Sequence, residues 1–462
     1  MTSLSPARLN REILRLSVPS ILAGITVPLV GMVDTAIAGH LGGGAAAQIG
    51  AISVGSMVLS LLYWVFGFLR TGTGGLTAQA YGRQDPAEAG RIFLRGTGLA
   101  LTAAAAALLL QWPFFKGVML IPDATPEVRE LAERYFFIRI WAAPATMTLM
   151  TLRGWFVGMQ NSVDSMWTDL IINAVNIGAS LLLAFGIGSW PGLGFAGIPL
   201  GTVIAQYTGL LYGLLVCCRR YGRGVFARLR REDFSALLHD GSTGRFFRMN
   251  LDLLGRSLFF ILIYSGFTMI SAGYGDLMLA AGSIIMQLLM FFSYFTDGFA
   301  YAGEALTGRF IGARDGAMLR LSVRYVFVWS MAIALLFMGL YASTSVPVLR
   351  LLTSDEAVVQ AARQFLPWLL LMPPLGCAAF TWDGIFLGAT ASRGLMVSMA
   401  GAAAAFFAIW FSGRALLQPA GATALHRLVA AYFAHLAFRT LWLTLRYRRE
   451  VLGRCPAGET RS

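Results

Sequence analysis

Charge is scarce in this sequence, and so are the residues from which soluble active sites are usually built. Only 13% of the 462 residues are charged, well below the ~25% of a typical soluble domain. The single lysine, Lys116, is followed by Gly117. A Walker A loop needs Gly-Lys-Ser/Thr to bring its lysine onto phosphates, so uphill work would need an ion gradient or a separate ATPase subunit. The four cysteines, Cys217, Cys218, Cys377 and Cys455, form no CxxC pair and imply neither a disulfide framework nor a zinc site. The four histidines make no HExxH. No clustered nucleophile, base or metal-ligand set speaks for an enzyme.

Apolar residues are what the chain has in excess. They make up 57% of it, with a mean hydropathy of +0.66, and runs able to cross a bilayer in ~20 residues recur from end to end. The first follows an Arg-containing start, but no small-residue cleavage site comes after it, so it reads as a span and not as a signal. Breaks at loop signals predict about twelve spans, roughly 12–38, 46–70, 90–112, 131–158, 163–187, 192–218, 243–272, 277–309, 318–345, 357–388, 392–412 and 423–446. The expected class is an all-α polytopic membrane protein.

The net charge of +13 does not imply a nucleic-acid partner, because the basic residues are confined to particular loops. Arg219, Arg220, Arg223, Arg228, Arg230 and Arg231 follow one span, and Arg446, Arg448 and Arg449 follow the last. The Arg-rich segments 83–95, 219–248 and 309–324 fall after even numbers of crossings. Excess Lys/Arg marks the cytoplasmic side, which puts both termini there.

The halves repeat. At a constant shift of 230 residues, 144–166 lies on 374–396 with seven of 23 pairs identical: Pro144/Pro374, Thr151/Thr381, Gly154/Gly384, Phe156/Phe386, Gly158/Gly388, Ser162/Ser392 and Met166/Met396. The same shift pairs Ala51/Ala281, Gly82/Gly312 and Asp85/Asp315. Two pseudo-symmetric six-helix lobes are expected, 1–218 and 243–462, joined by a cytoplasmic loop at 219–242. Parallel repeats of this kind are typical of secondary transporters, whose substrates bind between the lobes. A channel would sooner show rings of like charge.

Ionisable residues inside spans are costly and mark function by default. Asp34 stands alone in "VPLVGMVDTAIAGH", and its repeat mate is Tyr264, so this carboxylate belongs to the N-terminal lobe only. The plain alternative is an aspartate bonded to neighbouring hydroxyls. Arg256, Asp297 and Asp383 reach similar depths in the C-terminal lobe, and Asp297 and Glu304 share a helix face. They read as a buried charge network in which Arg256 bridges Asp297 and Asp383. Arg70 and Arg153 are candidates for a latch across the lobes; Arg153 and Asp383 are repeat mates of opposite sign. Pro19, Pro28 and Pro144 each remove a helical hydrogen bond, and the first two would let helix 1 bend. Gly72, Gly74 and Gly75 in "TGTGG" match no phosphate loop and read as close helix packing.

The strings "PLVGMVDTAIAGHLG", "TAQAYGRQD", "DGFAYAGEALTGRFIGARD" and "FTWDGIFLGAT" resemble the multidrug and toxic compound extrusion (MATE) transporters, specifically the DinF-like branch. The resemblance runs from about residue 12 to 445. It implies alternating-access export of cationic or amphipathic organic compounds across the cytoplasmic membrane, in exchange for protons or sodium ions and with no cofactor beyond that gradient. It also implies that the chain works as a monomer. Asp34 matches the first-helix aspartate of the family, Asn176 a fifth-helix asparagine and Thr202 a sixth-helix threonine. Where prokaryotic relatives carry an aspartate four residues after the asparagine, this chain has Ser180. That departure favours proton over sodium coupling. The segment "LHRLVAAYFAHLAFRTLWL" matches the last helix of the family only loosely, a difference expected to touch packing alone. An apolar interior with one unpaired acid favours organic cations with aromatic bodies. The rivals are a lipid-linked precursor flippase of the same superfamily and a membrane receptor or enzyme without transport.

Overall fold

The computed structural model describes residues 5–42, 44–120, 125–228, 241–353, 355–416 and 422–455. Arg230, Arg231, most of the expected inter-lobe loop and the last seven residues lie outside them. The described chain is helical throughout. In order, the helices are α1 Pro6–His40, α2 Ala45–Val65, α3 Phe68–Gly82, α4 Pro86–Leu109, α5 Gln111–Val118, α6 Pro126–Arg139, α7 Ala143–Gly158, α8 Ser162–Phe185 and α9 Gly197–Tyr221. They continue with α10 Gly241–Ala272, α11 Asp276–Gly312, α12 Gly316–Leu352, α13 Glu356–Arg363, α14 Leu366–Gly388, α15 Ser392–Leu416 and α16 Ala422–Glu450. In lipid a backbone must satisfy its own polar groups, which leaves helices as the available form. No strand occurs among the described residues; Ile187 and Trp190 make one isolated bridge.

Eleven helical segments among the described residues are long and apolar enough to cross a membrane. The span expected at 131–158 is not one of them. A 3-10 turn at Ile140–Ala142, with Pro144 just beyond it, divides that stretch into α6 and α7. Proline's missing N–H and bulky ring explain a break at this place. The span expected at 357–388 is likewise split into α13 and α14. α1, by contrast, runs unbroken through Pro19 and Pro28.

The chain divides into two compact units, Leu22–Phe246 and a second made of Met1–Ile21 with Phe247–Ser462. The first half of α1 therefore groups with the C-terminal residues and not with the rest of its own helix. The packing within that unit gives the reason. Gly298 of α11 has no side chain, and the carbonyl of Ser17 and the side chain of Ile21 stand 2.8 and 2.4 Å from where a Cβ would be. The Trp329 indole N–H donates to Asn10 Oδ1 at 3.0 Å.

The duplication is written into the backbone at the same 230-residue shift. Asp85 and Asp315 each cap a helix, accepting from Glu88 N at 3.0 Å and Met318 N at 2.9 Å. Gln84 and Arg314 both take left-handed φ values, 59° and 56°, as do Gln160 and Thr390 at 61° and 54°. A Cβ on Gly154 would lie 2.1 Å from the Arg70 carbonyl, and one on Gly384 2.0 Å from that of Ala300. Gly158 and Gly388 meet the carbonyls of Gly74 and Glu304 in the same way. α7 thus lies backbone-to-backbone on α3, and α14 on α11, a contact that only glycine permits. The glycines the repeat shares are those at the two closest helix crossings.

Candidate functional site: polar and charged groups inside the two units

In the Leu22–Phe246 unit, the second half of α1 carries Asp34. It is 2% exposed, and its buried Oδ1 has no hydrogen-bond partner among the described residues. A bare carboxyl oxygen away from water is costly unless something arrives to meet it. The nearby charge comes from Arg139, the last residue of α6, whose guanidinium acts electrostatically on both Asp34 and Tyr63. A cation is well placed at a helix C-terminus, where the helix dipole is negative. Arg139 Nη1 donates to the Tyr135 hydroxyl one turn earlier and to Ser56 Oγ of α2 at 3.3 Å; the two hydroxyls lie 3.2 Å apart. No ion pair within 4.0 Å joins Arg139 to any acid among the described residues. Asp34 therefore does not stand in a purely apolar setting, which corrects the expectation of one unpaired acid with no other charge in reach. Arg139 is hard to see in the sequence because "LAERYFFIR" reads as an ordinary charged helix end. The available signal was Tyr135 and Arg139 at i, i+4 on one face.

The residues matched on α8 and α9 form their own cluster. Asn176 Nδ2 donates to Thr202 Oγ1 at 2.9 Å, and Asn176 Oδ1 is buried with no partner among the described residues. Ser180, fully buried, donates to the Ile198 carbonyl at 3.3 Å. Gly201 clears room for it, since a Cβ there would meet Ser180 Oγ at 2.4 Å. One turn before Asn176, Asn173 Nδ2 donates to Thr26 Oγ1 of α1 at 2.5 Å. α8 is thereby tied to α1 about two turns below Asp34. Asn176, Ser180 and Thr202 come together, but none of them hydrogen-bonds Asp34.

Of the arginines considered for a latch, Arg153 pairs with Asp169 at 2.5 Å inside its own unit, so its charge is already answered there. Arg70 contributes its carbonyl to the close crossing with Gly154.

In the other unit, Asp383 accepts from two arginines. Arg256 reaches it from α10 and Arg439 from α16 at 2.5 Å. Arg439 is 2% exposed, and its Nη1 lies 3.4 Å from His435 Nε2. His435 Nδ1 lies 2.8 Å from the Tyr432 carbonyl; a proton on Nδ1 donates there and leaves Nε2 to accept from the guanidinium. The last helix therefore does more than pack, contrary to expectation: it supplies the second cation of the pair around Asp383. Glu304 is fully buried on α11, one face along from Asp297. No group of three His, Cys, Asp or Glu side chains able to hold a metal occurs among the described residues.

A family model, MatE, matches residues 19–182 and 254–438. The chain belongs to the MatE family. Among relatives of this MatE chain, the DNA damage-inducible protein F of Escherichia coli (strain K12) is 35% identical over 398 residues, covering 86% of this chain and 84% of its own. A probable multidrug resistance protein NorM of Caulobacter vibrioides is 27% identical over 381 residues, 81% of this chain and 76% of that one. A solved MOP superfamily transporter from Pyrococcus furiosus superposes with a TM-score of 0.83 at 16% identity, covering 96% and 98% of the two chains. That likeness shows the fold. The MatE assignment makes the chain a multi-pass membrane transporter of the branch that includes the Escherichia coli protein.

Proposed function

We propose that this MatE chain exports drug-like organic compounds across the cytoplasmic membrane in exchange for protons, which load and leave at Asp34. The observation that carries the reading is the buried Asp34 carboxyl with its unpartnered Oδ1. An ionised carboxyl held in hydrocarbon is costly, and either a proton or a positively charged cargo removes that cost. One group that accepts either in turn is the minimum machinery for antiport. Sodium is served by several oxygen ligands gathered at broken helices. Here Asn176 and Thr202 bond each other, and Ser180 stands where a second acid would be. The drug-resistance role named for the NorM relative supports organic cargo. The arginine-rich loops support cytoplasmic termini, and a complete two-lobe chain supports a working monomer.

The test is transport in proteoliposomes under imposed pH or sodium gradients. Wild-type protein should export under a pH gradient, and Asp34→Asn, a mimic of the protonated acid, should abolish gradient-driven export with expression intact. Proton-driven export by that variant, or export by wild type driven by sodium alone, would sink the proposal.

A further inference from the structure

Proton exchange at Asp34 makes no use of Arg139. A half-buried guanidinium beside a buried acid would usually be explained as its ion-pair partner. In this unit the two charges sense each other, yet no ion pair within 4.0 Å joins them among the described residues. Instead the guanidinium is aimed from behind. Tyr135 and Ser56 both accept from Nη1, while Nε and Nη2 donate to no described residue and are not sealed in. A guanidinium held along one edge, with its other N–H groups free, has the planar fork that grips a carboxylate or phosphate.

We infer that Arg139 is the acid-recognising half of an amphoteric cargo site, taking the oxyanion of a zwitterionic compound whose positive end is met by Asp34. All five residues involved, Asp34, Ser56, Tyr63, Tyr135 and Arg139, belong to the Leu22–Phe246 unit. The chemistry explains why the pair stays open. Two buried opposite charges that closed on each other would leave nothing for a ligand, whereas two held apart each keep a desolvation cost that a matching zwitterion relieves at both ends. A cargo with only a positive end would meet Asp34 with the Arg139 charge close by and unanswered, which disfavours it. Carboxylate and phosphate share this chemistry, and Arg139 serves for either.

The inference rests on the export reading, and the experiment separates the two. The probes are rhodamine B, a zwitterion at neutral pH, and its ethyl ester, the same fluorophore as a cation only. Both are offered to wild type, Arg139→Gln and Arg139→Lys in proteoliposomes under a pH gradient. Arg139→Gln should lower the ratio of zwitterion to ester export by about tenfold or more, the loss of a charge-assisted contact. Arg139→Lys, which keeps the charge but not the fork, should fall between. An unchanged ratio, with both dyes exported, overturns this inference and leaves the export reading standing. Export of neither dye by wild type under either ion gradient defeats both. A second measurement needs no variant and holds even if Arg139→Gln does not fold. Purified wild-type protein should bind rhodamine B more tightly than the ester by fluorescence anisotropy, and equal or tighter binding of the ester overturns the inference.

Discussion

At the scale of single residues, the buried charges divide into those already answered and those left open. Asp383 is answered twice, by Arg256 and Arg439, and this doubling sets the order of mutational damage. Losing one partner of a buried pair commonly costs ~3–5 kcal/mol, because the other charge is stranded. Asp383→Asn strands two cations facing each other, so it should lower the thermal stability of the purified protein most. Arg439→Met should follow, since Arg439 is almost completely buried. Arg256→Ala should cost least, its side chain being 20% exposed. A stability series in detergent that ranks Arg256→Ala as the worst would contradict this order. Arg256 and Asp383 were legible in the sequence as charges at matching depth. Arg439 and Arg139 were not, because each sits in a helix with other polar residues. Nothing local marks which of those turn inward.

At the scale of elements, the two repeat-related helix crossings make a paired prediction. Gly154→Ala and Gly384→Ala would each place a Cβ about 2 Å from a carbonyl of the facing helix, and the helices must separate. Overpacking of this kind typically costs ~1–3 kcal/mol, so both variants should lower the unfolding temperature by similar amounts. Gly178→Ala has nothing within 4 Å and should be neutral or slightly stabilising through its better helix propensity. Thermal unfolding of the three purified variants decides the matter; a tolerated Gly384→Ala would mean that the crossing is looser than described. These glycines stood out in the sequence through the repeat, although their partners did not. The division of one expected span into α6 and α7 was harder to read. Pro144 pointed to a kink, but the 3-10 turn lies before it, at Ile140–Ala142. The consequence is functional, since ending α6 at Arg139 is what sets that guanidinium at a helix C-terminus.

At the scale of the whole molecule, α1 contributes to both compact units, its first half to one and the half bearing Asp34 to the other. Two contacts hold the first half in place, the hydrogen bond from Trp329 to Asn10 and the side-chain-free face of Gly298. Trp329→Phe removes only the donor and should cost about 1 kcal/mol. Gly298→Val drives two methyls into Ile21 and the Ser17 carbonyl and should be clearly worse. Comparing the unfolding temperatures of the two variants tests that ranking, and a harmless Gly298→Val would show that this half of α1 is not held there.

The amino-acid sequence by itself determined that the chain lives in lipid, that it is helical, and that it is built twice. These properties follow from composition and periodicity, and a bilayer admits few other solutions for so apolar a chain. It also singled out Asp34, because one acid in an apolar run stands out without any partner being known. Tertiary structure alone decided which charges meet. In a medium without water each charge must find its answer in another helix, and that answer lies far along the chain. Asp383 and Arg439 are 56 residues apart, and Arg139 and Ser56 are 83 apart. Such pairings depend on helix rotation and depth, which local pattern does not record, so the second charge near Asp34 emerged only from the fold.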